Sequence, residues 1–216
     1  MKKVIILLDN GHGGIVDGVY QTSGKRSPVW NDGTQLFEGE FNRAIVRGIY
    51  QKLVNHGIDA RILVPEQQDI SLGERVKRAN QIQNENPDSM CYLISVHSNA
   101  GGGSGFEVYT YHGQSKSDEL AECIANAFKA EFPDDPLRVD LSDGDLDKEA
   151  NFYILRKTSM PSVLTENFFM DNEEECKEIL MTVEGRSKII NFHVNGIIKM
   201  VAPTGCPCCG RPFGDS

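Results

Sequence analysis

Two histidines and two glutamates stand at the borders of apolar, strand-like runs. His12 follows Val4–Leu8 within Asp9-Asn10-Gly11-His12-Gly13-Gly14, and His97 closes Tyr92–Val96 within Ser95-Val96-His97-Ser98-Asn99-Ala100. Glu166 closes the run Ser162–Thr165, and Glu38 opens a helical pattern that reaches the same place if its helix runs back along the sheet. In a parallel sheet the carboxyl ends of the strands form one rim, where ligands bind. Two imidazoles and one carboxylate on that rim match an open zinc site with three protein ligands and water in the fourth position. The remaining carboxylate, Glu166, is then free for proton transfer, which metal-assisted hydrolysis of an amide still needs at the leaving nitrogen. Glycines 11, 13 and 14 let the backbone pass close to metal and substrate. A lone histidine at a strand end is commonly structural; it is the convergence of four such groups that carries this reading.

The elements that must position these groups alternate between strand and helix, the pattern of a sheet with crossover helices. Strands are expected at Val4–Leu8, Asp59–Val64, Tyr92–Val96, Phe106–Tyr111, Phe152–Leu155 and Ser162–Thr165. Helices are expected at Glu38–His56, at Ser71–Asn84 with Ser71 and Glu74 as a capping box, at Ser117–Phe132, at Glu173–Met181 and at Gly185–Val201. The long segment 10–37 between the first strand and first helix is itself a functional signal. The fold class that follows is α/β, a twisted, mostly parallel sheet sandwiched between helices in a single domain spanning residues 1–202, with a Cys-rich tail at 203–216.

Composition narrows the partners. The 216 residues carry 22 Lys+Arg against 31 Asp+Glu, a formal charge of −9. That balance argues against a phosphate-binding surface and hence against nucleic acid. No apolar run approaches the roughly 18 residues of a membrane span. Val4–Leu8 is too short for a signal-peptide core, so the expectation is synthesis in the cytoplasm without a signal peptide, with action on its substrate after release or export by another route. Cys91, Cys123 and Cys176 read as isolated buried thiols rather than a disulfide framework.

The ordered set of motifs has a family resemblance. Asp9–Gly14, Glu38 four residues before Asn42, Asp69-Ile70-Ser71-Leu72-Gly73-Glu74-Arg75 with Ala79-Asn80, Ser95–Ala100 and Pro161–Phe169 together resemble the zinc-dependent N-acetylmuramoyl-L-alanine amidases of amidase family three, over about residues 4–200. The resemblance implies hydrolysis of the amide between the lactyl group of N-acetylmuramic acid and L-alanine in peptidoglycan, with Zn2+ as cofactor. Carried over by position, it makes His12, Glu38 and His97 the metal ligands and Glu166 the catalytic carboxylate. Glu40 is a rival for the ligand role, and the four-residue step to Asn42 favours Glu38. The sequence departs from the family pattern at Asn10, where proline is usual, and at Asn167, where glycine is more frequent; both bear on loop geometry. The alternative function is a catalytically silent peptidoglycan-binding or regulatory module of the same fold. A third is a zinc amidohydrolase acting on small acylated amino acids.

Further candidates stand apart from this set. Trp30, Asn99 and Arg156 are expected to contact substrate, Trp30 by packing on sugar or stem peptide, with Lys25-Arg26 meeting a peptide carboxylate. His56, His112 and His193 read as structural. The acidic run Asp140–Asp145 resembles a calcium loop, but the twelfth position from Asp140 is Asn151 instead of glutamate, so it reads as a polar loop. Cys206, Cys208 and Cys209 supply half a zinc ribbon, compatible with a tail-mediated dimer.

Overall fold

Val4–Leu8 is apolar at every position, which suits a strand buried on both faces rather than one. The computed structural model describes residues 3–113, 115–142 and 144–201. In it this run lies within strand β1 (Lys3–Asn10). Two short strands, β2 (Ile15–Val16) and β3 (Val19–Tyr20), form a small hairpin in the following segment. The main sheet adds β4 (Asp59–Ile62), β5 (Ser89–Asn99), β6 (Phe106–Thr110), β7 (Lys148–Glu149) and β8 (Ser162–Phe169). Its spatial order is β4-β1-β5-β8-β6-β7. The pairs among β4, β1, β5 and β8 are parallel, and β6 runs antiparallel to β8. The sheet is thus mostly parallel, as expected.

Alternate residues of the strands feed two separate cores. Ile6 and Leu8 of β1 join Tyr92, Ile94 and Val96 of β5 under helices α1 (Glu38–Asn55), α3 (Lys116–Glu131) and α5 (Val183–Val201). Ile5 and Leu7 join Cys91 and Leu93 on the other face, under α2 (Leu72–Glu85) and α4 (Tyr153–Lys157). Helix α1 forms as its pattern requires: Phe41, Ile45, Ile49 and Leu53 recur every four residues and are all buried. Glu38 breaks that pattern, being a buried carboxylate at the head of the helix.

Three expectations are corrected. Phe152–Leu155 is not a strand; from Tyr153 it turns as the short helix α4, because only Ile154 and Leu155 are buried and a run that short does not distinguish the two periods. The helix expected at Glu173–Met181 is present, but from Glu175 to Leu180 it is wound as a π-helix. The capping box at Ser71 is half formed: Ser71 Oγ accepts from the Glu74 amide, but the Glu74 carboxylate turns to Lys77 and Arg78. The complete box lies at the start of α3, where Ser115 and Asp118 exchange side-chain and backbone bonds. Cys91 and Cys176 are buried and Cys123 half-buried, all as free thiols. No helix among the described residues is long and apolar enough to cross a membrane. The tail with Cys206, Cys208 and Cys209, and the dimer expected through it, fall outside the described residues.

His193, in α5, is fully buried against β8. Its Nδ1 donates to the Ile189 carbonyl at 2.8 Å, which leaves Nε2 to accept from the Thr165 hydroxyl at 3.1 Å. Both nitrogens are satisfied only in the neutral ring, and burial lowers the pKa from 6.5 to about 4. The unfolded chain therefore takes up a proton on acidification before the folded chain does, and stability falls as pH drops through that window. The full effect is about 3 kcal/mol. Urea unfolding at about pH 7 and about pH 4.5 should show a smaller acid loss in His193→Gln than in the wild type. Equal losses in the two proteins would remove His193 as the source.

Candidate metal centre

The rim at the carboxyl ends of β1 and β5 is assembled by a sharp turn. After β1 the chain passes through Gly11 and reaches His12, whose φ of 66° lies in the left-handed region. A β-carbon on Gly11 would lie 2.1 Å from the His97 ring, so only glycine leaves room for that imidazole. The strained His12 backbone is held by two arginines. Arg43 Nη1 donates to the His12 carbonyl at 3.0 Å, and Arg75 Nη2 donates to the same oxygen at 3.1 Å.

Arg75 is almost completely buried. Its guanidinium also meets Asp9 Oδ1 at 2.6 Å, the Asn10 carbonyl at 2.7 Å and the Ile70 carbonyl at 2.8 Å. Asp9 in turn accepts from Ser95 Oγ at 2.6 Å, which ties β1 to β5 beneath the rim. Asn42, one turn into α1, donates to the Gly11 carbonyl at 3.1 Å. Asn167 donates to the His97 carbonyl at 2.8 Å, so the asparagine that departs from the family pattern steadies the end of β5 that carries His97.

Three side chains converge within this frame. His12 Nε2 lies 3.1 Å and His97 Nδ1 3.0 Å from the same oxygen of Glu38, Oε1. The two rings meet edge to face, with centroids 4.9 Å apart. The three donor atoms lie within 4.8 Å of one another. Burial pushes the Glu38 carboxyl up, but the hydrogen bonds from His12 and His97 outweigh it and hold its pKa far below the ordinary value. Burial would lower His97, yet the bond and charge of Glu38 raise it. Glu40 points elsewhere, accepting from the Ile15 amide of the β2–β3 hairpin at 3.1 Å.

Glu166 lies beside this group because β5 and β8 pair in parallel with His97 opposite Glu166. Its Oε2 is sealed from solvent without a hydrogen-bond partner. Burial raises its pKa to about 7, with the charge of Glu38 adding to the rise and that of His97 opposing it. A cavity of about 580 Å³ opens over His12, His97 and Glu166. Lys25 and Asp69 give it polar walls, and Ile70, Leu72, Phe152, Tyr153 and Ile154 give it an apolar one.

The expected substrate contacts fare differently. Lys25 lines the cavity. Trp30 does not line it; it is half-buried and packs against the apolar core. Asn99 is committed, donating to Glu107 Oε2 at 2.6 Å and accepting from the Ala100 amide at 2.8 Å. Arg156 stands over the Tyr153 ring and borders a separate depression with His112 and Met160. Asp9, Arg43, Arg75 and Asn167 escaped sequence reasoning as parts of the site. A signal was available for Arg75 in the Asp69–Arg75 motif, and for Asn42 in its four-residue step from Glu38.

Comparison with known proteins gives these residues a family. The sequence profile of N-acetylmuramoyl-L-alanine amidase matches residues 6–199. The chain is 30% identical over 199 residues to the N-acetylmuramoyl-L-alanine amidase CwlM of Bacillus licheniformis, covering 91% of this chain and 68% of that protein. It is 26% identical over 201 residues to the endolysin of Bacillus phage SPP1, covering 91% of this chain and 66% of the phage protein. Among solved structures, the N-acetylmuramoyl-L-alanine amidase AmiC2 of Nostoc punctiforme superposes with a TM-score of 0.70 at 25% identity, over 93% of this chain and 98% of that one. With its profile matched almost end to end and its fold shared, the chain belongs to the N-acetylmuramoyl-L-alanine amidase family of peptidoglycan hydrolases.

Proposed function

We propose that His12, Glu38 and His97 hold a zinc ion and that Glu166 moves the proton in hydrolysis of the lactyl amide to L-alanine in peptidoglycan. The observation that carries this reading is the meeting of two imidazole nitrogens and one carboxylate oxygen at 3.0–3.1 Å beside a partnerless Glu166 oxygen. Ligand atoms bonded at about 2.0–2.1 Å to a tetrahedral ion are separated by about 3.3 Å, close to these spacings. The second Glu38 oxygen, Oε2, is also buried and unpartnered. Two nitrogens and one oxygen form a donor set that suits zinc and leaves one position open. When bound, zinc supplies a Lewis acid that polarises the scissile carbonyl and acidifies water.

The chain's own groups supply the rest. Asn42 orients Glu38, its Nδ2 lying 3.4 Å from Glu38 Oε1. The arginine clamp on the His12 carbonyl fixes the direction of that imidazole. Glu166, poised near neutrality by burial, takes a proton from the attacking water. As the carbon–nitrogen bond breaks it returns that proton to the L-alanine nitrogen, so one carboxyl serves as base and then as acid. The apolar wall of Leu72, Phe152 and Tyr153 excludes water from one side of the reacting amide and suits the methyl groups of the lactyl and alanyl units. Lys25, which also lines the cavity, supports binding of a stem-peptide carboxylate.

A silent binding module would retain zinc and wall affinity without hydrolysis, and one pair of experiments separates the readings. Glu166→Gln should keep its zinc and lose about 100- to 10,000-fold of the release of L-alanine amino termini from purified peptidoglycan. Wild-type protein that binds zinc and frees no amino termini from several wall types would favour the module. Glu38→Gln should lose most of its zinc by atomic absorption while Glu40→Gln keeps it; the opposite result would move the ligand role to Glu40.

A further inference from the structure

The acidic stretch after Arg138 does not remain a plain polar loop once the chain folds. Asp145 and Asp147 come against Asp118, in the first turn of α3, and one oxygen from each carboxylate lies within 4.8 Å of the others. Asp147 is only 2% exposed. Its Oδ2 accepts from the Thr110 hydroxyl at 2.6 Å, while its Oδ1 is sealed from solvent and has no hydrogen-bond partner. The cations of the neighbouring strands are engaged elsewhere: Arg138 and Lys148 both bind Glu107, and His112 binds Glu149. A depression lined by Ser115, Asp118, Glu119, Glu122 and Asp145 leads onto the cluster.

Three carboxylates at this separation repel one another, and the repulsion grows where one of them is buried. Burial, reinforced by Asp145 and Asp118 against the Thr110 bond, raises the Asp147 pKa to about 7. Their mutual repulsion favours a proton or a cation held among them. The donors are all oxygen, which selects a hard ion over zinc. Carboxylates from a loop and a helix terminus fit the longer bonds and loose geometry of calcium better than the strict octahedron of magnesium.

We propose that Asp118, Asp145 and Asp147 form a calcium site separate from the His12–Glu38–His97 centre, with the buried Asp147 oxygen as its innermost ligand. Bound there, the ion fastens the 140s loop to the start of α3. It also steadies β7, whose Lys148 reaches Glu107 at 2.8 Å, and Glu107 lies opposite Glu166 in the β6–β8 register. The calcium-loop register that fails when counted from Asp140 is met instead by two loop carboxylates and one delivered by tertiary contact.

The test uses the full chain, zinc-loaded and then freed of calcium. Calorimetric titration with calcium chloride above neutral pH, and thermal melts in calcium, magnesium and sodium chlorides at matched ionic strength, should show saturable binding of one calcium per chain and a rise in Tm specific to calcium. Asp147→Asn should weaken that binding roughly tenfold or more and abolish the rise, with zinc content unchanged. Asp145→Asn, on the loop, gives the same reading should Asp147→Asn misfold. Absence of saturable binding in the wild type, with melts alike in all three salts, would overturn the proposal and leave a shared proton between the acids. Calcium binding that survives both substitutions would overturn it equally, by placing the ion elsewhere.

Discussion

A buried guanidinium organises the rim of this sheet. Arg75 reaches from α2 across the end of β1 and spends its donors on Asp9, Asn10, His12 and Ile70. A charge so placed is tolerable only because it is paired and fully hydrogen-bonded; losing the partner would cost several kcal/mol. The fork shape of arginine matters here, because lysine presents a point charge and could not hold several oxygens in one plane. The left-handed turn at His12, the room behind it for His97 and the approach of Glu38 from α1 all rest on that anchor.

The two cores explain why the anchor and the triad come from opposite sides of the sheet. Glu38 arrives from α1, packed on one face, and Arg75 from α2, packed on the other. Helix α1 contributes Glu38 and Arg43, and α2 contributes Arg75, to a seam at the strand ends. The cavity above this seam is accordingly lined by charged residues, Asp9, Lys25, Asp69, Arg75 and Glu166, together with apolar ones.

Much of this was legible in the sequence. The unbroken apolar run in β1 and the four-residue spacing in α1 report burial directly, and His12, Glu38, His97 and Glu166 fall together because each follows an apolar strand run or heads the helix packed on those strands, and the parallel pairing sets His97 opposite Glu166. What stayed hidden depends on contacts between distant positions. Arg43, Arg75 and Asn167 act through carbonyl oxygens, and a carbonyl leaves no mark in the residue it belongs to. Phe152–Leu155 was ambiguous because four residues are too few to show a period. A loop position likewise does not reveal that the Trp30 ring packs against the core. Asp147 is the reverse case, an ordinary loop acid whose significance comes from burial against Thr110 and Asp118.

The sheet's margins also bear on how the molecule behaves in company. One edge is β7, only two residues long, and the other is β4, four residues whose Asp59 pairs with both Arg61 and Lys3. An incoming strand finds too short a ladder at one side and a lattice of charge at the other. Edge-to-edge addition between copies is disfavoured at both ends, so the fold can keep a long apolar sheet at high concentration without offering a template for aggregation.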